Sequence, residues 1–151
     1  MKNIFQKIKN FFLYFFTLKD TPHNIAAGFA LGVLLGILPG EGVATTLVVA
    51  SLLHFNRASA TVGVLATNMW GTFVVLPLVT IVGGFLFGVT PSHLSQQFNQ
   101  TYHLGLRFFL SKAIFFDLAL PLIVGFIIVA GIISLVSYLI IYFLLKNNKI
   151  K

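Results

Sequence analysis

Three long apolar runs organise the chain, and two of them are interrupted in the same way. From Ile25 to Leu53 the single charge is Glu41, set in the break Pro39-Gly40-Glu41-Gly42. From Ala58 to Val89 there is no charge, but Asn68-Met69-Trp70-Gly71-Thr72 interrupts the run. Leu118 to Leu145 is uncharged throughout. Runs of this length read as membrane-embedded, since about 20 apolar residues of helix cross a bilayer core. Apolar runs broken by glycine and proline in corresponding positions point to a binding site near the bilayer midplane.

The pattern divides the chain into elements. Residues 1–20 are expected to form an amphipathic interfacial helix, with Ile4, Phe5, Ile8, Phe11, Phe12, Phe15 and Phe16 on one stripe. Packing of that stripe on the protein's own core is the competing reading. Residues 21–146 form the expected membrane domain, and residues 147–151 a basic cytoplasmic tail. Asp20-Thr21-Pro22 is a helix-start signal, with Thr21 as cap and Pro22 in the first turn. The helix it opens is predicted to reach Leu38. There proline and the glycines of the break stop it.

Val43 to Leu53 is predicted as a shorter helix, followed by the polar turn His54-Phe55-Asn56-Arg57. Ala58 to Thr67 is the next helix, Asn68 to Thr72 the second break, and Phe73 to Val89 the continuation, with Pro77 inside it. A polar stretch opens at Thr90, and the last helix follows Leu118. The fold class expected is an all-α membrane protein: a small polytopic bundle with two broken or re-entrant helix elements. Gly28, Gly32 and Gly36 recur every four residues and allow close helix packing. Gly32, central in that stripe, is expected to tolerate substitution less well than Gly63.

Composition supports this picture. The chain is 58% hydrophobic and 9% charged, too few charges to cover a soluble domain of 151 residues. The net charge of +7 does not indicate nucleic acid, because the basic residues cluster at the two ends rather than lining a groove. Lys2, Lys7, Lys9 and Lys19 precede the first apolar run, and Lys146, Lys149 and Lys151 follow the last. By the positive-inside rule both termini are expected in the cytoplasm, with an even number of crossings of a bacterial inner membrane. Cysteine is absent, so disulfides, thiolate metal sites and cysteine nucleophiles are excluded.

Four groups carry candidate chemistry. Glu41 is an acid within an apolar run, a position that is costly unless it serves a purpose. It reads either as a cap on the helix that starts near Val43 or as a proton, cation or substrate group. Gly40 and Gly42 leave amides accessible there, where an anionic group can also bind. Asn68 and Thr72 either line a path or bond freed carbonyls, and Gly71 is a second source for that break. Arg57 and Arg107 can clamp phosphate, or Arg57 can snorkel and set topology. The histidines His23, His54, His93 and His103 share no metal-ligand spacing, so no metal and no cofactor is expected. No serine–histidine–acid order, phosphate loop or HExxH pattern is present, so an enzyme has no constellation to rest on.

Thr21-Pro22, the glycine stripe, Pro39-x-x-Gly42, Asn56, Asn68, Pro77 and Leu120-Pro121-Leu122-Ile123-Val124-Gly125 occur in an order that resembles the DUF2062 membrane proteins of bacteria. The family's Asn-Pro-x-Thr break reads here as Asn68-Met69-Trp70-Gly71-Thr72, without the proline. Some members of that family carry a glycosyltransferase domain. The resemblance therefore implies a role in the envelope or with lipid-linked sugars. Two functions are expected from different classes. One is transport-like handling of a small or lipid-linked substrate, with Glu41 as ionisable gate and Asn68 opposite it. The other is a non-transporting scaffold or accessory subunit of an envelope-biosynthesis enzyme. Membrane lipids and a second copy of the chain are the other expected partners.

Overall fold

The computed structural model describes residues 19–39, 42–101 and 118–148, and these are helical with short connections. The helices are α1 (Pro22–Ile37), α2 (Val43–Leu52), α3 (Arg57–Phe87), α4 (Pro91–Thr101) and α5 (Leu120–Asn148). No strand occurs among the described residues. The expected amphipathic helix lies outside them but for Lys19 and Asp20. So do Arg107, His103 and the end of the basic tail.

α1 starts as its sequence dictates. Thr21 Oγ1 accepts from the Asn24 amide at 3.1 Å, and Pro22 occupies the first turn, where no amide is needed. It ends at Ile37, one residue before the expected boundary, with Leu38 already extended ahead of Pro39. α2 ends on His54 in the left-handed conformation (φ 57°), and the Phe55 amide reaches back to the Ala50 carbonyl at 2.9 Å. α3 begins under Asn56, whose Oδ1 accepts from the Ser59 amide at 2.9 Å. It stops at Gly88, whose φ of 68° favours a residue without a Cβ.

α1 and α3 run parallel in tight contact. A Cβ on Gly28 would strike the Asn56 carbonyl and the Ser59 hydroxyl. On Gly32 it would strike the Ala60 carbonyl, and on Gly36 the Thr67 hydroxyl. The glycine stripe is thus the α1 side of this contact. Gly63 lies on the other side, where a Cβ would strike the Phe29 carbonyl and come within 3.1 Å of the Gly32 Cα. The two glycines face each other, so the expected tolerance of Gly63 has no structural basis.

α5 runs antiparallel to both. Ile141 and Leu145 pack on Ile25 and Ala26 near the start of α1. Val129 and Ala130 share a cluster with Val33 and Ile37 near its end. Beyond that point α5 meets the second half of α3, where a Cβ on Gly83 would strike the Pro121 carbonyl. α4 folds back on this far end through Leu94 and Phe98, the latter ring 6.5 Å from Phe126. The polar stretch after Thr90 therefore contains a helix. Its Leu94 and Phe98, four residues apart, form the buried face.

The second break is narrower than the pattern suggested. Within Arg57–Phe87 the backbone leaves helical geometry at Asn68 alone (φ 5°, ψ −159°). Gly71 remains within the helix, where a Cβ would meet Ile37 Cγ1 at 3.4 Å. Gly71 therefore does not break the chain, and the room beside it would admit a Cβ in ordinary contact with Ile37. Two stretches, Trp70–Phe87 and Leu120–Asn147, are long and apolar enough to cross a membrane.

Candidate functional site at the meeting of the helix breaks

α1 stops halfway along the bundle, and it stops against the kink of α3. Thr72 is buried, and its hydroxyl donates to the Ile37 carbonyl at 2.8 Å. Thr67 donates to the Gly63 carbonyl at 2.9 Å and lies 3.4 Å from the Val33 carbonyl. From the other side, Ser134 of α5 donates to the Ala30 carbonyl at 2.7 Å. Hydroxyls from two neighbouring helices thus tie down the carbonyls of the last two turns of α1. The Ile37 carbonyl ends the helix and has no ladder partner, so Thr72 satisfies it, whereas at Ala30 the second lone pair takes the added bond. Among the described residues no buried side-chain polar atom lacks a partner.

The sequence-derived candidates divide accordingly. Thr72 and Gly71 sit at the junction, and a Cβ built on Gly36 would lie 3.2 Å from the Asn68 amide. Pro39 follows the end of α1 and is exposed, and Gly42 is the N-cap of α2. As a glycine it brings no capping side chain, so the first amides of α2 have none from that position. Glu41 and Gly40 lie outside the described residues. Asn68 is exposed on the outer face of α3. Trp70 is also outside, with 82% of its surface exposed.

Arg57 belongs to a different place. It opens α3 at the end of the bundle where α1 begins and α5 finishes. A polar latch closes that end. The Asp20 carboxylate accepts from Asn24 Nδ2 through one oxygen and from Asn56 Nδ2 through the other, each at 3.0 Å. The Asn56 amide donates to the Asn24 carbonyl at 3.1 Å. The chain therefore returns through α2 to the level at which α1 started. Beside the latch, His23 Nδ1 and the Tyr138 hydroxyl are 2.9 Å apart. Tyr138 stacks on Tyr142, and the Lys146 ammonium lies 5.8 Å from the Tyr142 centroid. Lys19, Arg57 and Lys146 are all exposed at this end.

The latch was not foreseen. Asp20 reads in the sequence as part of a helix start, and Asn24 falls in the first turn just ahead of the apolar run. Their joint role depends on a residue 36 positions from Asp20. Among the described residues no cluster of three or more metal-ligating side chains occurs.

The DUF2062 family model, described as an uncharacterized protein conserved in bacteria, matches residues 5–151. The chain belongs to the DUF2062 family. No curated protein and no solved structure matches it. In this DUF2062 protein, the elements that carried the resemblance are those that build the two loci. Thr21-Pro22 and Asn56 set the latch end, while the glycine stripe, Pro39 and Asn68 set the junction.

Proposed function

We propose that this DUF2062 protein is an integral protein of the bacterial inner membrane that handles a small or lipid-linked envelope substrate at the junction of its two breaks, in a transport-like role. The observation that carries this reading is the halt of α1 against the α3 kink. Lys19, Arg57 and Lys146 share one end of the bundle, which the positive-inside rule assigns to the cytoplasm. α3 and α5 then cross once each, and α1 with α2 forms a re-entrant hairpin from the cytoplasmic side. From Arg57 to Asn68 the rise is about 16 Å at about 1.5 Å per residue. That distance is about half of a hydrocarbon core of about 30 Å.

Interrupted backbone at that depth is tolerated only inside protein or beside water. Half-helix ends at mid-depth are a recurrent way to hold ions and anionic groups. Glu41, carried in sequence between Pro39 and Gly42, supplies the ionisable group of the site. Gly42 caps the positive end of α2, and Asn68 at the kink adds a neutral donor and acceptor. Arg57 lies at the cytoplasmic mouth and favours anionic substrates.

A second reading has its own support. The hydroxyls of Thr67 and Thr72 are already spent on carbonyls, which suits a rigid scaffold for an envelope-biosynthesis enzyme. The two readings differ in whether water reaches the junction. The cysteine-free chain permits a direct test with a single Gly42→Cys variant in sealed vesicles. Labelling by a small membrane-impermeant thiol reagent supports transport. Labelling by lipid-soluble reagents alone favours the scaffold.

A further inference from the structure

Among the described exposed residues of α3 from Leu65 to Ile81, Asn68 alone is polar. Leu65, Ala66, Trp70, Phe73, Val74, Leu78 and Ile81 are exposed, and all are apolar. Asn68 lies among them, at the residue where the helical backbone fails. Its side chain makes no hydrogen bond to any described residue. An exposed amide in an apolar belt is costly in lipid, where nothing replaces the water it has lost. On the first arm of α3 it falls in line with Thr61 and Leu65 at helical spacing.

We infer that this face is the seat of a second copy of the same chain, with Asn68 of each protomer paired to Asn68 of the other across a two-fold axis. The inference rests on the membrane reading above and names the partner that reading left open. A carboxamide carries both a donor and an acceptor, so two of them close a reciprocal pair without any third group. A two-fold axis brings the same residue to both sides of a contact, which suits a self-complementary side chain. Amide side chains hydrogen-bond across helices in bilayers.

The pairing also bears on the junction. The end of α1 lies against Asn68 of its own protomer, so dimerisation sets two junctions about one axis. Each protomer then supplies the polar group that covers the other's kink.

The test uses the full chain in two formats. In native membranes, Leu65→Cys should form a disulfide-linked dimer under mild oxidation, whereas Val48→Cys on exposed α2 should not. In liposomes at graded dilution, single-molecule counting should show Asn68→Leu weakening association roughly threefold to twentyfold, with Asn68→Gln closer to wild type. Unchanged association of Asn68→Leu, or crosslinking through Val48 in place of Leu65, overturns the inference. The Leu65→Cys arm keeps Asn68 intact, so a folding defect in Asn68→Leu does not remove the test. Thiol labelling of Gly42→Cys, which leaves Asn68 intact, separates the two proposals. A labelled monomer leaves transport standing and removes the dimer, whereas an unlabelled dimer keeps the dimer and favours the scaffold.

Discussion

A single methyl group at Gly32 is enough to measure the α1–α3 contact. The Cβ of Gly32→Ala would strike the Ala60 carbonyl and lie 2.7 Å from the Val64 amide nitrogen and 3.0 Å from the Ala60 carbonyl carbon. These are backbone atoms, so no rotamer change relieves them. The helices must part by about 0.7 Å or more, and a gap of that size forfeits roughly a quarter to a half of each dispersion well along the seam. Overpacking of this kind costs about 1–3 kcal/mol. Alanine also raises helix propensity by up to about 1 kcal/mol, which would mask part of the loss.

Gly131→Ala is the matched control. It lies inside α5, and a Cβ there meets nothing within 4 Å. The propensity gain is common to both variants, so their difference isolates the packing cost. We expect Gly131→Ala to be as stable as wild type or better, and Gly32→Ala to lie about 1–3 kcal/mol below it. The assay is reversible unfolding in mixed micelles of rising denaturing-detergent fraction, followed by helical circular dichroism. Equal stability of the two alanine variants would refute the close-packing account of the glycine stripe. Gly63→Ala should resemble Gly32→Ala, because its Cβ meets the same seam from the other helix.

Other substitutions probe the remaining contacts. Thr72→Val keeps the side chain's shape but removes the donor to the Ile37 carbonyl, and should destabilise by about 1 kcal/mol in the same assay. Thr72→Ser, which retains the hydroxyl, should recover part of this, and a neutral Thr72→Val would show that the tie contributes nothing. Asp20→Ala leaves two carboxamide donors without their acceptor and should cost about 1–2 kcal/mol. It should also speed proteolysis at the α2–α3 turn, and unchanged protease resistance would count against the latch. Gly88→Ala places a Cβ at positive φ and should lower stability by about 1 kcal/mol, with no effect on protomer association.

Much of the architecture was legible because local chemistry and tertiary role agree. Thr21-Pro22 and Pro39 bound α1 through backbone rules that hold in any context, and the four-residue glycine spacing describes one face whatever it meets. The second break was harder. Gly71 reads as a chain breaker, yet it sits in the helix, and the backbone departs from helical geometry at Asn68 instead. The role of Gly63 depends on the helix opposite. Leu94 and Phe98 showed a helical pair four residues apart, but the polar residues around them hid it. The latch joins residues far apart in sequence, and no local pattern marks such a group. Thr67 and Ser134 were overlooked for a related reason. A lone hydroxyl in an apolar helix commonly bonds its own backbone, and only the fold reveals a neighbour's carbonyl within reach.

The depth of the kink in the membrane decides between a mid-depth site and an interfacial one. Trp70, the only tryptophan, reports it without any substitution. It lies two residues beyond Asn68 and is exposed at the bundle surface. Reconstituted in a series of lipids brominated at different positions along the acyl chain, its fluorescence should be quenched most by bromines near the chain ends, close to the bilayer centre. The position of the maximum carries the result, whatever shielding a second protomer adds. A maximum for bromines next to the headgroup would place the kink at the membrane surface and contradict a substrate site at mid-depth.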